Sequence, residues 1–179
     1  MRPPSFVTPA VLAVAAMLVS CDAARPPDCP GDRVATFQFS GELATGDTTS
    51  CPFASQAPLA FTATLSFVGD GEALLCIDRT DAPALAGTRL GDHVVVTTPA
   101  TLANVSQCTC AVQVVETLEG DVARADGQPT GFAGELRDDF TVQPTDSGPP
   151  ATCEPTAPPG GGLACGVPCS ILWTVTATR

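Results

Sequence analysis

A chain of 179 residues is about one domain, long enough for a single core and short for two. It holds 8 basic against 19 acidic residues, no lysine or tyrosine, one histidine and one tryptophan, for a net charge of −11 at pH 7. A field of that sign repels nucleic acid and anionic headgroups, which excludes both as partners on charge grounds; otherwise the acidity reads as a solubility device.

In chain order, Met1 to Pro9 carries one positive residue, Arg2, and is followed by the apolar run AVLAVAAMLV, Ala10 to Val19. Such a run is too short to cross a hydrocarbon core of roughly 30 Å as a helix, and in this position it reads as a secretion signal. Next comes LVSC, Leu18-Val19-Ser20-Cys21, which resembles the lipobox of bacterial lipoproteins, where small residues precede an invariant cysteine. The resemblance covers the first 21 residues and departs from the pattern in one respect, a leader with a single arginine. It implies a diacylglycerol on the Cys21 sulfur, cleavage after Ser20, and Cys21 as a new and acylated N-terminus, with palmitate among the expected chains. On this reading residues 1–20 are the signal peptide, 21–33 the lipidated cysteine with a short tether, and 34–179 a single exported domain held at the bacterial cell envelope. Without the leader the balance is 7 basic against 19 acidic residues, or −12.

Beyond the tether the sequence keeps a period of two. In VATFQFSGEL, Val34 to Leu43, the residues Ala35, Phe37, Phe39, Gly41 and Leu43 form one face, and in FTATLSFVG, Phe61, Ala63, Leu65 and Phe67 do the same. These are strands with one wet face. ALLCIDR around Cys76 and DHVVVTT at 92–98 are shorter strands, followed by a long one over 108–122 and another over 131–143. SILWTVTATR closes the series, with Ile171, Trp173, Val175 and Ala177 on one side. Between them GDG at 69–71, DAPALAG at 81–87 and ADGQPTG at 125–131 carry turn residues. The count is about seven strands with no long amphipathic helix. Clean alternation predicts an all-β, antiparallel sandwich, with a small barrel as the alternative.

Nine cysteines are an odd set for an exported chain. Assigning Cys21 to the lipid leaves Cys29, Cys51, Cys76, Cys108, Cys110, Cys153, Cys165 and Cys169, an even set expected to form disulfides in an oxidising compartment. Their connectivity stays open, except that Cys108 and Cys110 point the same way along a strand and so suit different partners. A C-x-C, a C-x3-C and a single histidine do not make the usual zinc spacing. The stretch 144–169, rich in proline and glycine, reads as an irregular loop tied down by its cysteines.

Chemistry is harder to find. His93 is the one imidazole and opens an apolar strand; no nucleophile elbow and no phosphate-binding glycine loop accompanies it. No catalytic residue and no cofactor is therefore expected. Two carboxylates are out of place: Glu116 is in phase with Val112, Val114 and Leu118, and Asp138 with Phe132, Leu136 and Phe140. A buried unpaired carboxylate is costly. The favoured explanation is a β-bulge at VVE and at RDDF turning each outward, the alternatives being an arginine pair (Arg89, Arg124 or Arg137), an acid/base site or a weak metal site. The function expected is a non-enzymatic binding or structural module at the envelope, attached to the membrane through its lipid, with an envelope protein or polysaccharide as partner. A hydrolase using the carboxylates and a protein inhibitor using the 144–169 loop are the alternatives.

Overall fold

The computed structural model describes residues 29–44, 51, 57–79, 82–103, 110–143 and 166–179. The leader, the LVSC stretch with Cys21, and Cys108, Cys153 and Cys165 lie outside the described residues, as does most of the 144–169 loop.

Nine strands are described: β1 (Asp32–Leu43), β2 (Leu59–Val68), β3 (Glu72–Ile77), β4 (Leu85–Leu90), β5 (His93–Thr97), β6 (Thr101–Ala103), β7 (Val112–Ala125), β8 (Gln128–Val142) and β9 (Cys169–Thr178). All pairings are antiparallel, and the order β5-β4-β3-β2-β1-β9-β8-β7-β6 with an added β5–β7 pairing closes the sheet on itself. The result is an up-and-down barrel of eight strands, with β6 continuing the line of β5 along β7. The architecture is all-β and antiparallel as expected, but the sheet closes where a sandwich was favoured, and two strands exceed the expected count.

Closure rests on two seams that alternation cannot reveal. β1 meets β9 from Gln38↔Thr178 to Leu43↔Trp173, and β5 meets β7 from His93↔Asp121 to Thr97↔Thr117. Most of the expected inward set is buried, Ala35, Phe37 and Phe39 on β1, Ala63 and Leu65 on β2, and Ile171, Trp173, Val175 and Ala177 on β9, while Leu43, Phe61 and Phe67 are partly buried against it. In a barrel of eight strands inward side chains fill most of the lumen or leave room for one small ligand. Here Phe39 stacks on Phe61 at 4.7 Å between ring centroids and leans on Phe132 at 5.5 Å and Phe37 at 6.1 Å. That aromatic group plugs the lumen.

β4 and β6 escaped the pattern for physical reasons. In β4, LAGTRL, the inward phase after Leu85 carries Gly87 and Arg89, while Leu90 is 85% exposed. Gly87 is needed there, because a Cβ would strike the Val95 carbonyl oxygen. The expected turn over 125–131 shrinks to Asp126 and Gly127, both at positive φ (50° and 77°), a two-residue hairpin turn of the mirror-image type; the rest is strand. Pro129 lies at the register shift between Ala123 and Arg124, where its missing N–H does least harm.

The connections sort by end. At one end of the barrel β2–β3, β4–β5 and β7–β8 are joined by tight turns. At the other lie the strand ends between which β1–β2, β3–β4, β6–β7 and β8–β9 are joined. Two disulfides are described: Cys51–Cys169 joins the β1–β2 connection to the start of β9 at this second end, and Cys29–Cys76 fastens the chain ahead of β1 to β3. Cys110 is also disulfide-bonded.

Candidate functional site at the barrel mouth

Glu116 and Asp138 are the centre of the site, and neither is turned outward. They are direct cross-strand partners in the β7–β8 register, whose one shift lies far away at Ala123/Arg124. Directly opposed residues of an antiparallel pair share a face, so both stand on the lumen side with Leu118 and Leu136. This corrects the expectation of bulges at VVE and RDDF.

The bulge sits instead in the strand facing them. From Thr97↔Thr117 to Thr101↔Val114 the β5–β6 line advances four residues while β7 advances three. The extra residue falls in Thr98-Pro99-Ala100, where proline removes a ladder donor. Thr98, 5% exposed, repairs the break: its N–H donates to the Glu116 carbonyl oxygen at 2.9 Å, and the Glu116 N–H donates to Thr98 Oγ1 at 2.9 Å. β7 keeps its phase, and the Glu116 backbone is held from both sides.

Asp138 is the strained member. Burial, then the nearby Glu116 charge, push its carboxyl from the ordinary 3.8 up to about 6, with Asp139 adding to the rise and the Trp173 indole opposing it. Trp173 is turned toward this carboxylate, yet neither Trp173 Nε1 nor Asp138 Oδ1 completes a hydrogen bond of normal geometry among the described residues. Trp173 itself is only 5% exposed.

None of the three arginines considered as partners reaches the pair. Arg124 Nε bonds Asp92 at 2.7 Å, Arg137 Nε bonds Asp139 at 3.0 Å, and Arg89 lies over the Phe67 ring, 4.2 Å from its centroid. A different one, Arg79, lines the cavity beside Glu116. It sits just past β3 in the β3–β4 connection, a position no periodicity singles out.

That cavity, about 130 Å³, crosses the lumen toward the barrel end where β2 starts at Leu59, β3 ends at Ile77 and β4 starts at Leu85. Phe61, Leu75 and Leu85 line it from β2–β4, and Glu116, Leu118 and Leu136 from β7–β8. It is therefore an apolar chamber with one carboxylate in its wall and a second paired to that carboxylate. Among the described residues no group of three His, Cys, Asp or Glu could hold a metal ion.

His93 lies elsewhere, on the outer wall at the tight-turn end of β5. Nδ1 is 3.1 Å from Asp121 Oδ1 and Nε2 is 3.4 Å from Glu119 Oε1, with the imidazole side chain 42% exposed. It clamps β5 to β7 from outside the barrel. Exposed pairs of this kind are worth well under about 1 kcal/mol, so His93→Ala should leave the urea midpoint nearly unchanged. A loss above about 2 kcal/mol would show that the β5–β7 seam depends on this clamp.

Compared with protein-family models, with curated proteins and with solved structures, the chain matches none.

Proposed function

We propose that the protein is an exported, lipid-anchored barrel that binds a small ligand in its mouth without transforming it. The observation that carries this reading is the placement of the apolar chamber toward the barrel end at which Cys51 is bonded to Cys169, the first residue of β9. Ligand sites are concave, mostly apolar and supplied with few polar groups, and barrel mouths are a usual place for them. At about 130 Å³ the chamber is well below the several hundred Å³ of a drug-sized site, so the ligand, or the part of it that enters, is small.

The anchor is read from LVSC, with Cys21 carrying the lipid. Eight residues separate Cys21 from Cys29, so even at about 3.3 Å per residue the tether reaches roughly 26 Å. Cys29 is bonded to Cys76 on β3 and its sulfur lies 3.5 Å from the Thr64 carbonyl oxygen, so the tether leaves from the side wall rather than from a barrel end. The barrel would then lie flank-on, its mouth open to the space beside the membrane. Cys21→Ala should release the mature protein from membranes after a high-salt wash; unchanged partitioning would remove the lipid from the proposal.

A second reading is favoured by one observation, the raised Asp138 beside Glu116. A carboxyl raised to about 6 opposite a second carboxylate is the kind of arrangement a hydrolase that cleaves glycosidic bonds would use. Release of reducing ends from envelope polysaccharide, abolished by Asp138→Asn in a folded protein, would replace binding by catalysis.

A further inference from the structure

We propose that the mouth chamber is an ammonium site, taking a small aliphatic amine with its alkyl group against Phe61, Leu75 and Leu85 and its cation at Glu116 and Asp138. The proposal rests on the reading of the barrel as a ligand binder and adds the chemical class of the ligand.

Three features converge on it. The first is size: an apolar cavity of about 150 Å³ holds a benzene-sized group, so a chamber of about 130 Å³ accepts about six carbons. The second is polarity that the protein leaves unmatched. Among the described residues the buried Asp138 Oδ1 and Trp173 Nε1 complete no hydrogen bond of normal geometry, although Trp173, nineteen-twentieths buried, is turned toward the Asp138 carboxyl. Two carboxylates in register with no cation between them repel each other; an ammonium supplies both the missing charge and the missing donors. The third is the field, a net −11 over the chain, which draws small cations toward an apolar chamber whose own carboxylate is only partly screened by solvent.

The alternatives fit less well. A hard divalent ion asks for six or more oxygens, and no set of three acidic, cysteine or histidine ligands stands here among the described residues. A carboxylate ligand would have Arg79 as its one cationic neighbour in the chamber wall and two carboxylates against it. Arg79 lines the chamber, so it raises the local potential against an incoming amine, and Arg79→Ala should tighten amine binding.

Protonation sets the pH range. The groups facing Asp138 are Glu116 on β7, Trp173 on β9 and Asp139 on its own strand, with Arg79 also in the chamber wall. Asp139 is held by Arg137 at 3.0 Å, which leaves Glu116 as the main acidic neighbour. An alkyl ammonium keeps its charge from pH 5 to pH 7.5. A loss of amine affinity over that range then reports the protein's carboxyls.

The test uses three ligands of one shape, n-hexylamine, n-hexanol and hexanoate, titrated into the purified full chain at pH 7.5 and pH 5. Binding is followed by calorimetry and by the fluorescence of Trp173, the only tryptophan. Hexylamine should bind at least tenfold tighter than hexanol at pH 7.5, lose that preference at pH 5, and lose it at both pH values in Glu116→Gln and Asp138→Asn. Hexanol binding retained in these variants shows that they are folded with the chamber intact. Equal affinity for hexanol and hexylamine in the unaltered chain would overturn the ammonium site while leaving a ligand-binding barrel. Hexanoate as the tightest ligand would overturn it in favour of Arg79. Binding of none of the three would overturn both this inference and the reading on which it rests.

Discussion

Replacing both members of the Cys51–Cys169 bridge by serine should lower the melting temperature by on the order of 10–15 °C. The two cysteines are 118 residues apart, so reconnecting the chain without the link costs roughly 5 kcal/mol of loop-closure entropy on the polymer model. A change of about 1 kcal/mol moves the midpoint of a domain this size by about 3 °C. The same arithmetic for Cys29–Cys76, 47 residues apart, gives roughly 4 kcal/mol. Location adds to length. Cys51 is 5% exposed and belongs to the core, and Cys169 pairs with Phe140, two residues beyond Asp138 on β8. Losing the bridge therefore unpacks the rim above the acid pair as well as lengthening the free chain. The check is thermal unfolding of the double serine variant by circular dichroism, with ligand titration of the same sample. A fall of less than about 3 °C would mean that the β1–β9 and β8–β9 ladders already hold those chain positions together without the covalent link.

Much of the fold lies in the alternation itself, and what lies outside it can be traced to particular residues. Ala35, Phe37 and Phe39, and again Ile171 to Ala177, state which face is inside, and the structure buries those residues. A period of two says nothing about whether the two outer strands of a sheet meet. The pairing of Gln38 with Thr178, which makes a barrel of what would otherwise be an open layer, depends on the accumulated twist and shear of all the strands. β4 hides because Gly87 and Arg89 occupy its inner phase, where a contact search expects bulk, and because Leu90 faces water.

The acid pair shows a different limit. Phase alone correctly puts Glu116 and Asp138 inside; the cost of burying charge argued for moving them out. Both arguments are sound, and the structure resolves them by letting Asp138 hold its proton to higher pH and by placing the bulge in the partner strand. The sequence does carry a sign of that bulge. Thr97-Thr98-Pro99 ends a run of β-branched residues with a residue that cannot donate, which marks a strand break at that point rather than in β7. Arg79 carries no such sign, since it stands just past the end of β3, where no periodicity singles out a residue that lines the chamber.

Asp138→Asn should stabilise the protein at pH 7.5 and do almost nothing at pH 4. The carboxyl is raised from 3.8 to about 6 in the folded chain, so between those values the folded state holds a proton that the unfolded state has released. Stability contributed by this group is therefore greatest below about pH 4, falls as pH rises through that window, and is lowest once both states are ionised. A shift of that size is worth at most about 3 kcal/mol, and because Asp138 is only partly buried the realised penalty is about 1–2 kcal/mol. Asparagine has the same shape without the charge and removes that penalty where it exists, raising the midpoint by about 3–6 °C at pH 7.5. Glu116 is relieved by the same change, since its nearest like charge is gone. Thermal unfolding of both proteins at half-unit pH steps from 4 to 8 should give curves that coincide at the acid end and diverge upward. Equal destabilisation at every pH would mean that Asp138 accepts a hydrogen bond asparagine cannot reproduce. Destabilisation by 3 kcal/mol or more confined to pH 7.5 would mean that the carboxylate is held by a cation after all, with Arg79 the one such group in the chamber wall.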